Sequence, residues 1–266
     1  MGRHVSIIGV PWDDQSSWCR GCAAGPAAIR EAYQCDSTNT SCECGLELRD
    51  HPRVQDRGDL SLSDTTDPRQ QIEDAVAAIV SEGDRVLVLG GDHALTWPVL
   101  RGVTRDREPV NVLHLDAHPD LYDELDGNRF SHATPMTRAL EEGRIRRLVQ
   151  VGIRTMNGPQ QVQADRFGVE VVSMRDWRDD LSLEFDGPVY LTIDLDVLDP
   201  AFAPGVSHLE PGGLSTRQLI SLIQRLDPDW VGGDIVELNP RRDRNGMTAA
   251  VAAKLMKEVL ARMLDD

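Results

Sequence analysis

A three-layer α/β/α sandwich around a mainly parallel sheet is the fold class predicted for this chain of 266 residues. Three observations predict it. Short β-branched apolar runs alternate with longer segments of helical period along the whole length. The runs are apolar at successive positions, as strands must be when helices cover both faces of their sheet. No linker, repeat or low-complexity tract divides the chain, so a single domain over residues 1–266 is expected.

Taken in order, the first strand is "HVSIIGV" (4–10), followed by a helix over about 26–34. A second helix spans about 67–82, where Asp67 stands before Pro68 as a cap before a good first helical residue. "RVLVLGG" (85–91) leads into a helix over 93–104, and "VNVLHLD" (110–116) into one over 133–143. "RLVQVGI" (147–153), a helix over 159–167, the short run "VEVV" (169–172) and "PVYLTIDLD" (188–196) follow. The helix over 215–226 starts after Gly213, with Ser215 as its cap and apolar residues at helical spacing. "WVGGDIVEL" (230–238) and a helix over 247–264 complete the series.

Composition narrows the function. A net charge of −16 argues against a nucleic-acid or anionic-membrane surface and suits a cationic small substrate or metal ions. No run approaches the roughly 18 consecutive apolar residues of a membrane span. "HVSIIGV" is too short for a signal-peptide core, so a cytoplasmic protein is expected. Cys19, Cys22, Cys35, Cys42 and Cys44 fall within one N-terminal stretch. Their odd number and spacing read as reduced thiols, with metal binding or a redox switch as the alternative.

Sites in parallel sheets lie at the carboxyl ends of strands. There the chain puts "GGDH" with His93, "HLDAHPD" with Asp116, His118 and Asp120, "DLDVLDP" with Asp194 and Asp196, and "DIVEL" with Glu237. Residues i and i+2 of a strand point the same way, so Asp116 and His118 face one point, and Asp194 and Asp196 another, with Asp120 joining as the chain turns. Singly, each motif is a polar turn or a helix cap. Together they bring two histidines and four carboxylates to one edge, a set that two divalent cations would neutralise. Mixed imidazole and carboxylate ligation suits manganese, and less well iron, cobalt or zinc. A metallophosphoesterase would need "GNH" and "GHxH" partners, which the chain lacks.

The motifs "GGDHALTWPV", "HLDAHPDLYD", "SHATPMTRALEEG", "VGIRT", "LTIDLDVLDPAFAPGVSHLEPGGLS" and "GGDIVELNPRRDRNGMTAAVAAKLM" resemble, in order, those of the ureohydrolase (arginase/agmatinase) family, nearest to its plant-type arginases. The resemblance implies an eight-stranded sheet, a trimeric or hexameric homo-oligomer and two Mn2+ ions per subunit. It implies one metal held by His93, Asp116, Asp120 and Asp194, and another by His118, Asp116, Asp194 and Asp196. Catalytic roles are implied for Glu237, which receives the guanidinium, for His132, which shuttles protons, and for Asp120, which orients the nucleophile. Tyr122 and Asn157 stand where the substrate tail is bound, but they differ from the animal-type pattern. L-Arginine is the first substrate expected. Agmatine or a guanidino acid such as 4-guanidinobutyrate is the alternative, and a non-catalytic metal-binding protein the remote one. Asp199 and Asp234 are expected to support the site or the fold, and His114 and His208 to be supporting or loop residues rather than ligands.

Overall fold

A computed structural model describes residues 3–265. Eight strands form one sheet: β1 (Val5–Gly9), β2 (Val54–Asp59), β3 (Arg85–Leu89), β4 (Val110–Leu115), β5 (Ile145–Ile153), β6 (Glu170–Ser173), β7 (Val189–Asp194) and β8 (Trp230–Val236). Their order is β2-β1-β3-β8-β7-β4-β5-β6, and every pairing is parallel. Every residue of β1, β3, β4, β7 and β8 is buried, which is why their sequences are apolar without alternation.

Two apolar cores flank the sheet. On one face Ile29 of α1 (Gly25–Gln34), Leu219 and Leu222 of α6 (Thr216–Arg225) and Leu255 and Val259 of α7 (Met247–Leu264) pack against the strands. On the other lie Ile72 and Val76 of α2 (Pro68–Ser81), Leu100 of α3 (Thr96–Val103), Met136 of α4 (Pro135–Glu141) and Ala164 of α5 (Gly158–Phe167). The two helix starts read from the sequence form as expected. The Asp67 side chain accepts from the Arg69 N–H, and Ser215 closes a capping box with Gln218.

Three details differ from the sequence reading. The strand expected over 188–196 ends at Asp194, whose side chain caps a 3-10 turn, Leu195–Val197, that carries Asp196. β2, "VQDRGD", escaped because it is a polar edge strand, paired only with β1 and half exposed. Arg30 of α1 holds it by hydrogen bonds to both oxygens of Asp56 and to Asp59. The helix expected over 93–104 begins as a 3-10 turn, His93–Leu95, because Asp92 caps the Ala94 N–H and the α-helix starts only at Thr96.

Candidate metal centre and substrate cavity

β3, β8, β7 and β4 are consecutive in the sheet although they are far apart in sequence. Their carboxyl ends therefore deliver His93, Glu237, Asp194 with Asp196, and Asp116 with His118 and Asp120 to one edge. Close approach is needed at the first of these turns: a Cβ on Gly91 would lie 1.7 Å from the Trp12 carbonyl oxygen. Two site residues, Asp120 (φ 50) and Glu237 (φ 66), take the left-handed backbone conformation. That conformation costs a non-glycine residue free energy and turns both side chains back over the sheet edge.

His93 is fully buried, and hydrogen-bond bookkeeping fixes its tautomer. The Thr192 hydroxyl donates its one hydrogen to Asp234 Oδ1 at 2.6 Å, so it must accept from His93 Nε2 at 2.9 Å. Nδ1 is then a bare lone pair, and it faces Asp116 Oδ2 at 3.1 Å, Asp120 Oδ2 at 3.0 Å and Asp194 Oδ2 at 3.2 Å. It has no hydrogen-bond partner. Four acceptors directed at one point are stable only around a proton or a metal cation. Burial opposes charge on His93, yet the carboxylates of Asp116, Asp120 and Asp194 around Nδ1 raise its pKa well above the ordinary imidazole value. Burial, then Asp196 and Asp116, raises Asp194 well above the carboxylate range. The donor set fits a divalent cation.

A second group adjoins the first. His118 Nδ1 lies 2.9 Å from Asp196 Oδ2 and 3.4 Å from Asp116 Oδ1. Burial again opposes its charge, while Asp196 and Asp116 push its pKa up to about 12. Asp116 thus gives one oxygen to each histidine, the arrangement of a bridging ligand. Backbone donors hold other carboxylate oxygens in place: the Asp196 N–H bonds Asp194 Oδ1 at 2.8 Å, and the Ala117 N–H bonds Asp196 Oδ1 at 3.1 Å.

Glu237, His132, His118, Asp120, Asp194, Asp196 and His208 line a cavity of about 250 Å³. Glu237 accepts from the His93 N–H at 2.9 Å and from the Cys22 thiol at 3.3 Å. Burial, then Asp92, pushes Glu237 up to about 8, so this carboxylate is poised for a cationic partner. His132 Nδ1 lies 3.6 Å from Glu237 Oε1, Nε2 bonds Ser17 at 2.8 Å, and the ring stacks on His208 at 4.9 Å between centroids. Burial, then His208, lowers His132 to about 3.

A family model for the Arginase family matches residues 3–261. The chain belongs to that family. It is 46% identical to "Arginase 1, mitochondrial" of Arabidopsis thaliana, over 97% of this chain and 81% of that protein. It is 35% identical to "Guanidinopropionase" of Pseudomonas aeruginosa, over 98% of this chain and 87% of that protein. The arginase structure from Medicago truncatula superposes with a TM-score of 0.92 at 43% identity, covering 98% of this chain and 88% of that one. This arginase-family hydrolase therefore carries a candidate binuclear metal centre.

The expected cytoplasmic location does not stand, since similar plant arginases carry the names mitochondrial and chloroplastic/mitochondrial. That expectation rested on targeting signals, and a removable targeting segment leaves no trace in the fold of an arginase-family domain. His114 is a support, as expected. Gln150 donates to its Nδ1 at 2.9 Å, so its Nε2–H holds Asp116 Oδ2 at 2.8 Å, and no lone pair is left for a metal. Asp234 is also a support: it accepts from Thr96, Tyr190 and Thr192 at 2.6–2.9 Å and anchors His93 through Thr192. Asp199 has a structural role: it holds the Gly212 N–H at 2.7 Å in a turn. The Asn157 side chain bonds the Tyr122 hydroxyl and caps α5. Among the described residues, no group able to hold a metal includes a cysteine.

Sequence reasoning missed the loop over residues 13–22. Asp13 accepts from the Gly21 and Ala23 N–H groups, and Asp92 accepts from the Gln15 N–H. The loop brings Ser17 to His132 and leads into Cys22 beneath Glu237. "GPAAIR" just beyond it was the only available signal, and it marks the helix rather than the loop.

Proposed function

We propose that this protein hydrolyses L-arginine to L-ornithine and urea, with two manganese ions held by His93, Asp116, His118, Asp120, Asp194 and Asp196. The reading rests above all on the bare His93 Nδ1 facing three carboxylates beside a cavity whose inner wall carries Glu237. Divalent ions bound there would acidify water and polarise the group under attack. Glu237 receives the planar guanidinium, because a carboxylate can accept two parallel N–H bonds and burial strengthens the pairing. Asp120 orients the attacking oxygen through its carboxylate. His132 is neutral in its buried setting, takes up a proton at Nδ1 beside Glu237 and passes it to the departing amine, while Ser17 holds Nε2. Tyr122 and Asn157 fix the far end of the substrate. The single domain over residues 1–266 works in a homo-oligomer, a trimer or hexamer, and its product feeds polyamine metabolism.

A guanidino acid or agmatine is the second reading. Its support is the Tyr122–Asn157 pair at the cavity rim, an uncharged contact that would hold an ammonium group weakly, together with the guanidinopropionase relative. The test is urea release by manganese-loaded protein from arginine, agmatine, 4-guanidinobutyrate and guanidinopropionate. Activity on arginine that His118→Asn abolishes is the expected result. A preference for another member transfers the assignment to it. Silence on every member by fully metal-loaded protein would overturn the function.

A further inference from the structure

Two of the five cysteines meet far from the metal centre in sequence and role. Cys42 Sγ and Cys44 Sγ lie 3.1 Å apart, at the two ends of "CEC". A covalent S–S bond is about 2.05 Å long, so about 1 Å of movement separates two thiols from one disulfide. The local backbone presets this approach. Ser41 and Glu47 pair as an antiparallel bridge, the Cys42 N–H bonds the Leu46 carbonyl at 3.0 Å, and the Gly45 N–H bonds the Cys42 carbonyl at 3.0 Å. Gly45, at φ 87, closes the turn that faces the sulfurs toward each other. Cys44 is exposed and Cys42 is buried, so one sulfur meets solvent and the other waits behind it.

The residue between them is tied to the C-terminal helices. Glu43 bonds Arg217 of α6 at 2.7 and 2.9 Å, its carboxylate lies 3.3 Å from Lys254 of α7, and its N–H bonds Glu258 of α7 at 3.0 Å. The chain has only two lysines, Lys254 and Lys257, and both come to this segment, Lys257 through the Asn39 carbonyl. Closing a ring over Glu43 must therefore act on the joint between this turn, α6 and α7.

We propose that Cys42 and Cys44 are a redox modification site, with a low-molecular-weight disulfide of the oxidised-glutathione class as its oxidant. The Cys44 thiolate attacks one sulfur of the oxidant, expels a first thiolate and becomes a mixed disulfide. Cys42 gives up its proton, attacks Cys44 Sγ, expels the second thiolate and completes the Cys42–Cys44 bond. Two electrons pass from the protein to the oxidant, and the two protons end on the released thiols.

The test is equilibration of the full chain in oxidised and reduced glutathione buffers, followed by acid quenching, alkylation and peptide mapping. The expected result is joint loss of alkylation at Cys42 and Cys44, with the intact mass falling by two hydrogens, reversed by reductant. Cys42→Ser should instead retain one glutathione on Cys44, since the resolving thiol is gone. Three results would each overturn the proposal: both cysteines alkylatable in every buffer, a stable glutathione adduct on wild-type Cys44, or a bond from either sulfur to Cys19 or Cys35. The wild-type arm decides without any variant. No arm uses urea release, so failure here is distinct from failure of the proposed activity.

Discussion

Thr192→Val is the most informative single change, because valine keeps the shape of threonine and removes only its hydroxyl. That hydroxyl accepts from His93 Nε2 at 2.9 Å and donates to Asp234 Oδ1 at 2.6 Å, and all three residues are buried. The variant leaves a buried imidazole N–H and a buried carboxylate oxygen unpaired. Each orphan costs about 1–3 kcal/mol, so about 2–6 kcal/mol of stability should be lost. At about 2–4 °C per kcal/mol for a chain of roughly this size, the melting temperature of metal-free protein should fall by roughly 4–24 °C. The larger signature is on the metal. With Nε2 unheld, the lone pair of Nδ1 is no longer fixed toward Asp116, Asp120 and Asp194. Loss of such an orienting partner typically weakens metal affinity about 10–100-fold. Calorimetric manganese titration should show this weakening at one of two sites, while Thr192→Ser, which keeps the hydroxyl, should stay near wild type. A folded Thr192→Val protein with unchanged affinity at both sites would refute the argument that Thr192 sets the tautomer and direction of His93.

Two further outcomes follow from the geometry. The Cys22 thiol is held protonated by burial and by the neighbouring charge of Glu237, and so it serves as a donor to Glu237. Cys22→Ala removes about 0.5–1.5 kcal/mol of hydrogen bonding, so KM should rise about 2–12-fold with kcat little changed; Cys22→Ser, close to alanine in volume, should recover most of that loss, and equal kinetics for the two variants would count against the donor role. Burial raises Asp56, but hydrogen bonds from Arg30 and the Gly58 N–H outweigh it and leave its carboxyl below the ordinary range. A depressed folded value means stability that is present above the unfolded value of about 3.9 and is lost as pH falls through the folded value. For a pair this exposed the contribution is at most about 1 kcal/mol; urea unfolding between pH 5 and 3 should therefore slope less for Asp56→Asn than for wild type, and equal slopes would remove Asp56 from the acid response.

The fold was legible wherever burial on both faces forces an apolar run and a capping residue marks the next helix. That covers β1, β3, β4, β7 and β8 and the starts of α2 and α6. β2 was not legible, because an edge strand held by Arg30 needs no apolar pattern of its own. In the site, the spacing of Asp116 with His118 and of Asp194 with Asp196 could be read from the sequence, but strand alternation is not what brings each pair together. β4 ends at Leu115 and Asp196 sits in the 3-10 turn Leu195–Val197, so the turn beyond each strand end sets their directions. Partnership across strands is not local. The sheet order β3-β8-β7-β4 decided that His93 meets acids from two other strands. The Thr192–Asp234 pair decided which nitrogen of His93 is bare. The close approach of Cys42 and Cys44 also came only with the folded turn, where the pairing of Ser41 with Glu47 and the left-handed Gly45 face two sulfurs that the sequence left merely near each other. Side-chain type and period are written along the chain, whereas the direction of a lone pair is set by neighbours that only packing brings together.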